Sequence, residues 1–257
     1  MINIRRSGDR HHDLRRKQEV WDTFDPDDPA DTLGTGFGAL ERLNEDRLPP
    51  GSGFRRHPHQ DGEMLTYVRE GALSYEDSMG RSGVIRTGEF QRMTVKRSLR
   101  HSETNASRTD WAHAFQIWLR PSAADLEPDR EQKRFSAAQR RGVWCAIASP
   151  DARGGSLRIH QDALVFSALL APGQHLVYEL ALGRRGWLHL VHGSVTLGDD
   201  LLAAGDGAGL LDERVVSLTA CVDAEILFFD LGPRSNESEE RVPRLAEPLS
   251  AAVKPAA

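Results

Sequence analysis

Two short histidine-bearing stretches hold the residue types of this chain that could do chemistry. The first, RHPHQDGEMLTYVREG, sets His57 and His59 on alternate residues just ahead of an alternating apolar run. The second, RHSETN, sets His101 and Glu103 at the same spacing. Side chains of a strand alternate faces, so each pair projects to one side, roughly 7 Å apart along the backbone. The alternation over residues 64–95 supplies several strands between the pairs, enough for a meander or Greek key to bring 101–103 beside 57–59. Three imidazoles and one carboxylate would then converge on one point.

That donor set constrains the ion it could hold. Nitrogen and carboxylate oxygen without thiolate disfavour a Cys-rich structural zinc and suit Fe(II), Mn, Ni, Cu or Co. A six-coordinate ion would keep two positions for exchangeable water, which a substrate or O2 can displace. Glu103 has a second role open to it, as a base for a bound hydroxyl. Glu63 shares the parity of His59 and is a rival carboxylate ligand, or else an exposed or supporting strand residue. A single HxH is weak, because solvated and core histidines are common. Spacing alone admits both a metal centre and ordinary strand histidines.

The elements that must position these residues read as strands. Met64–Val68, Val84–Ile85, Phe90–Val95 and Ala114–Leu119 form one set; Leu164–Leu170, Leu176–Leu182, Trp187–Val191, Ser194–Leu197, Val215–Leu218 and Glu225–Leu231 form another. Pro172-Gly173, His192-Gly193, Gly198-Asp199 and Gly205-Asp206-Gly207 supply turns between them. Short strands with frequent turns favour an all-β sandwich or barrel, and two sets predict two units in tandem. The boundaries expected are 1–122 for a first, metal-binding unit, 123–145 for a charged linker, 146–232 for a second unit and 233–257 for a flexible tail rich in Pro, Ser, Glu and Ala. A short helix over Ser136–Arg141 is expected within the linker.

Composition narrows the function classes. The chain has 257 residues, 28% of them charged and 39% hydrophobic, with a formal charge of -5. That balance argues against direct nucleic-acid binding by bulk electrostatics. No apolar run reaches the ~20 residues of a membrane span, and MINIRRSGDRHHDLRRKQEV lacks a secretory apolar core, so a cytoplasmic protein is expected. Cys145 and Cys221 lie in no ligand pattern and read as two buried thiols.

At this point the longer motifs become informative. RHPHQDGEMLTYVREGALSYEDSMGRSGVI, GEFQRM, RHSETN, FQIWLRP and EQKRF, then SPDARGGSLRIHQDALVF, GWLHLVHGSVTL, GDGAGL and EILFFDL, resemble the pirin family, in particular its bacterial branch with quercetin 2,3-dioxygenase-like members. The similarity runs from about residue 35 to residue 232, in the family's order. The resemblance implies an all-β bicupin, two cupin-type β-barrels (jelly-roll-like sandwiches) packed in tandem. It implies one divalent metal in the first barrel, held by His57, His59, His101 and Glu103. The family metal is usually Fe(II), with Mn, Ni, Cu, Co or Zn as alternatives. The implied activity is dioxygenation of a small aromatic polyphenol, with O2 opening the flavonol ring of quercetin and releasing carbon monoxide. Glu103 would assist deprotonation of the 3-hydroxyl. The family also contains iron-binding redox sensors that act as transcriptional co-regulators through a protein partner, and this is the alternative reading. A monomer is expected on the same ground.

The sequence departs from the family in places. Val95-Lys96-Arg97-Ser98-Leu99 stands where relatives carry a glycine-bearing turn. Turn charges usually face water, so an exposed turn is preferred over an electropositive pocket mouth suited to an anionic or phenolate ligand. DPDDPAD, with Asp25, Asp27, Asp28 and Asp31, lacks the Gly and terminal Glu of a calcium loop. Arg5, Arg6, Arg10, Arg15, Arg16 and Lys17 read as a solvated basic face. In the second unit the HxH position keeps only His175, followed by Val177 and Tyr178, while His160, His189 and His192 are scattered. That barrel is expected to be metal-free.

Overall fold

The computed structural model describes residues 1–15, 17–58, 62–95, 99–120 and 126–232, with side chains for all of these except residues 15 and 55–58. Among the described residues the strands run, in chain order, β1 (Ile2–Arg5), β2 (His11–Arg15), β3 (Gln18–Asp22), β4 (Leu40–Leu48), β5 (Gly53–Pro58), β6 (Gly62–Glu70), β7 (Ala72–Asp77), β8 (Ser82–Arg86), β9 (Glu89–Val95), β10 (Arg100–Asn105), β11 (Ala112–Leu119) and β12 (Asp129–Arg134). The second part adds β13 (Cys145–Ser149), β14 (Leu157–Arg158), β15 (Ala163–Leu170), β16 (His175–Glu179), β17 (Arg185–His192), β18 (Ser194–Leu197), β19 (Asp200–Ala203), β20 (Gly207–Leu210), β21 (Val215–Ala220) and β22 (Ala224–Leu231).

Each part is a sandwich of a large and a small sheet. The first pairs a seven-stranded sheet, β12-β9-β6-β11-β4-β3-β2, with a four-stranded one, β5-β10-β7-β8. The second repeats the plan with β1-β20-β17-β22-β15-β13-β14 and β16-β21-β18-β19. The two large sheets pack on each other. Residues of one parity on β6 and β11, among them Leu65, Tyr67, Phe115, Ile117 and Leu119, join Val165, Trp187, Val191, Leu227 and Phe229 in one buried cluster between the barrels. Residues of the other parity face their own barrel interior, as strand geometry requires. The expected all-β bicupin is the observed architecture.

Several local expectations change. β1, counted above with the first unit, pairs with β20 and extends the second sheet. Asp129–Arg134, inside the span read as linker, is a full strand paired with β9. The helix is a single turn, Ala137–Arg140, started by a Ser136 capping box with Gln139. Cys221 is exposed rather than buried, because it falls in the turn after β21, and Cys145 is half-buried. The basic face is not uniformly solvated: Arg5 pairs with Asp31 and Arg6 with Asp206, while Arg10 is buried against Glu45 at 2.7 Å. Arg16, residues 96–98, expected as an exposed turn, and residues 233–257, expected as a tail, lie outside the described residues.

Candidate metal centre

Three of the candidate ligands, His57, His101 and Glu103, sit on two neighbouring strands of the small sheet of the first barrel. β5 and β10 are antiparallel, and their register sets His57 directly opposite His101. Directly opposed residues have Cα atoms about 4.5–5.5 Å apart. Between His101 and Glu103 the register slips by one residue, so Glu103 faces Phe54. This is a bulge, the device by which a strand re-aims a side chain at a site. Gly53 lets the strands close there, since an added Cβ would overlap Glu103 O and Thr104 Cα. His59 lies outside the described residues, so its position relative to the others is not part of this geometry.

His101 and Glu103 are both buried. His101 Nε2 and Glu103 Oε1 stand 4.0 Å apart, too far for a hydrogen bond. The separation is within the ~4.2 Å that two ligands, each about 2.1 Å from one ion, can span. The other carboxylate oxygen, Glu103 Oε2, accepts a hydrogen bond from Gln116 Nε2 at 2.5 Å, which leaves Oε1 for a cation. Burial pushes the Glu103 carboxyl up to about 7, against a smaller opposing pull from Arg130; a cation beside it would favour the charged form. Donor chemistry and geometry on His101 and Glu103 therefore fit a divalent metal. Among the described residues no group of three or more His, Cys, Asp or Glu stands close enough to hold a metal ion, His101 and Glu103 being the pair brought together here.

Behind this pair the interior is polar where a core would be apolar. Asp46 and Thr66 on β4 and β6 are buried, and Asp46 Oδ1 and Thr66 Oγ1 have no hydrogen-bond partner among the described residues. Burial, then the nearby charges of Glu103 and Asp22, pushes the Asp46 carboxyl well above the usual range. Met64, Met93, Val95, Leu99 and the partly buried Trp118 complete the wall as a small apolar cluster.

The rival ligand Glu63 faces the other way. It is fully buried, accepts from the His160 backbone amide at 2.7 Å and meets His160 Nδ1 at 2.8 Å. Its parity points it at the second barrel, where it joins the two halves. Sequence alone missed this because β6 is buried on both faces, so alternation does not say which face holds the site. In the second barrel His175 is exposed and meets Thr219 Oγ1 at 3.0 Å, and His192 is exposed too. Its interior is instead filled by Leu188, Leu190, Val195, Ile226, Phe228 and their neighbours.

The family model described as Pirin matches residues 5–119, and that described as Quercetinase C-terminal cupin domain matches residues 146–231. The chain belongs to the pirin family. It is 39% identical over 233 residues to the quercetin 2,3-dioxygenase of Escherichia coli strain K12, covering 91% of this chain and all of that one. It is 36% identical over 201 residues to a pirin-like protein of Caulobacter vibrioides, covering 78% of this chain and 86% of the relative. The crystal structure of the bacterial pirin YhhW from Escherichia coli in complex with nickel(II) superposes with a TM-score of 0.85 at 38% identity, covering 91% of this chain and 100% of that one. Pirins of this branch thus include a divalent-metal complex. Among the described residues of this pirin, no helix is long and apolar enough to cross a membrane.

Proposed function

We propose that this pirin is a metal-dependent dioxygenase that opens the ring of quercetin or a related flavonol with O2. His57, His59, His101 and Glu103 would hold the metal, with iron(II) as the expected ion. The observation that carries the reading is the buried pair His101 Nε2 and Glu103 Oε1, 4.0 Å apart in a polar barrel interior, in a chain 39% identical to a protein named quercetin 2,3-dioxygenase.

The metal, when bound, supplies Lewis acidity and a path for electrons between an electron-rich ring and O2. The protein's own share follows from its side chains. Glu103 assists deprotonation of the flavonol 3-hydroxyl, and Gln116, bonded to Oε2, fixes the plane of that carboxylate. Met64, Met93 and Trp118 form an apolar cluster in the first barrel that suits the flat rings of a polyphenol. Carbon leaves the ring as carbon monoxide, and both oxygen atoms of O2 end in the products.

Protein loaded anaerobically with iron(II), or separately with nickel(II), then given oxygen and quercetin, should release carbon monoxide in proportion to substrate consumed. Protein fully occupied by either ion that leaves quercetin intact would refute the assignment. Measured metal content separates that result from an empty site.

A further inference from the structure

Arg130 lies on β12, the edge strand of the first large sheet, in register with Met93. Its guanidinium carbon is 3.9 Å from the centroid of the Tyr75 ring, and Nη2 lies 2.8 Å from Met93 Sδ and 3.6 Å from Asp77 Oδ2. Tyr75 and Asp77 are the direct cross-strand partners of Glu103 and His101 on β10. Side chains directly opposed on one sheet face are neighbours, so this positive charge stands one strand away from both described members of the metal site.

The charge is buried and under-used. Only 9% of the Arg130 side chain is exposed, and its Nε and Nη1 have no hydrogen-bond partner among the described residues. Asp77 does not satisfy them. Its carboxylate is beyond hydrogen-bond distance of Nη2, already accepts the backbone amides of Met79 and Arg81 at 2.9 and 3.0 Å, and lies 3.7 Å from the Arg81 guanidinium. The Met93 sulfur is a weak acceptor. A guanidinium taken out of water with idle donors is costly unless an acceptor of opposite charge joins it. The Tyr75 ring holds the group in place by a cation–π contact but offers it no oxygen.

We propose that Arg130 is the anion-recognition residue of the first barrel, taking the phenolate or carboxylate oxygen of a small aromatic ligand bound beside His101 and Glu103. The inference rests on the reading that the first barrel receives the substrate, and it adds a charge requirement to that substrate. Arginine suits the role because its fixed fork of donors matches an oxyanion and its charge persists at any working pH. The apolar wall of Met64, Met93 and Trp118 accounts for the aromatic part.

The test uses metal-loaded full-length protein, its Arg130→Gln and Arg130→Lys variants, and two probe pairs followed by tryptophan fluorescence. The first pair is 3,4-dihydroxybenzoate and its methyl ester; the second is 4-nitrophenolate, held above its pKa, and 4-nitroanisole. The parent should bind the anion of at least one pair about tenfold more tightly than its neutral partner, the size of one charge-assisted hydrogen bond, and the pair concerned names the oxygen. Arg130→Gln should erase that preference while keeping its metal, and Arg130→Lys should retain part of it. Should Arg130→Gln fail to fold, Arg130→Lys must still lower the ratio at least threefold. A parent with no preference in either pair, or a variant that keeps the parent's ratio, overturns the proposal. A protein that shows the preference yet releases no carbon monoxide from quercetin would refute the flavonol reading and leave this one standing.

Discussion

Acidifying the medium should loosen this protein through one residue, His189. It is fully buried on β17 between the two barrels, flanked by Trp187 and Val191 of the interdomain cluster and edge-on to Phe115 with ring centroids 5.8 Å apart. Neither ring nitrogen has a hydrogen-bond partner among the described residues. Burial disfavours the imidazolium first, the charge of Arg10 adds to that, and Glu45 and Asp206 oppose it; the net result holds His189 down at about 3. The unfolded chain, with its imidazole near 6.5, therefore binds a proton that the folded chain refuses. The stability this represents is complete above pH 6.5 and is lost as pH falls toward 3. Between pH 7 and pH 5 the loss comes to about 2 kcal/mol, or roughly 4–8 °C in Tm for a protein of this size. His189→Leu has a similar volume, removes the proton site and leaves no idle nitrogen. Its stability at pH 7 should match or exceed the parent's, and its loss on going to pH 5 should be smaller by about 2 kcal/mol. Urea midpoints at both pH values, with m checked for constancy, decide the matter. Equal losses in variant and parent would show that His189 carries no proton linkage.

Glu45 acts in a separate window. Burial would raise its carboxyl, but hydrogen bonds from His113 and Arg10 and the Arg10 charge outweigh it and hold Glu45 at about 2, so it contributes about 3 kcal/mol above pH 4.5 that is lost as pH falls through 2; Glu45→Gln should be weaker at pH 6 and show a flatter urea-midpoint profile below pH 4.5. Gln116→Leu should release Glu103 Oε2 and lower metal affinity about 10–100-fold in a chelator competition, and the idle buried oxygen it leaves should lower Tm of the metal-free protein by a few degrees.

How far the sequence reaches is clearest strand by strand. Segments with a steady apolar alternation emerge nearly at their expected bounds: Ser194–Leu197 is β18, and Phe90–Val95 lies within β9. What escapes is the wall of the site itself. β12, DREQKR, has no apolar residue: Arg130 turns into the polar part of the barrel, Gln132 is exposed, and Glu131 and Lys133 meet Arg158 and Ser156 of the second barrel. β4, LERLNEDRL, buries Glu45 on one face and Asp46 on the other, so alternation blurs. Hydrophobic periodicity registers core, and a barrel that keeps its interior polar gives a weak signal there. The candidate site was legible by a different route, the alternate spacing of His101 and Glu103. Which carboxylate belongs to it was not, since Glu63 and Glu103 differ only in the sheet face they occupy.

The two barrels share one plan and divide its demands. In the second, Leu188, Leu190, Leu218, Ile226 and Phe228 fill the space between the sheets, and a close-packed apolar interior leaves no room for a ligand. In the first, Leu48, Val68, Leu73, Ile85 and Ala114 fill part of the corresponding space and the rest holds His101, Glu103, Asp46, Thr66 and Arg130; polar atoms of Asp46, Thr66 and Arg130 lack partners among the described residues. Such groups destabilise a fold by about 1–3 kcal/mol each, a cost the first barrel bears at Asp46, Thr66 and Arg130. The interdomain cluster, reinforced by Glu63 on His160 and by Arg140 on Glu225 at 2.9 Å, braces it from behind. Those contacts leave its large sheet on the face opposite to the site. The second barrel therefore stabilises the strands that carry the site without reaching into it, which is how a chain can keep an interior suited to chemistry rather than to packing.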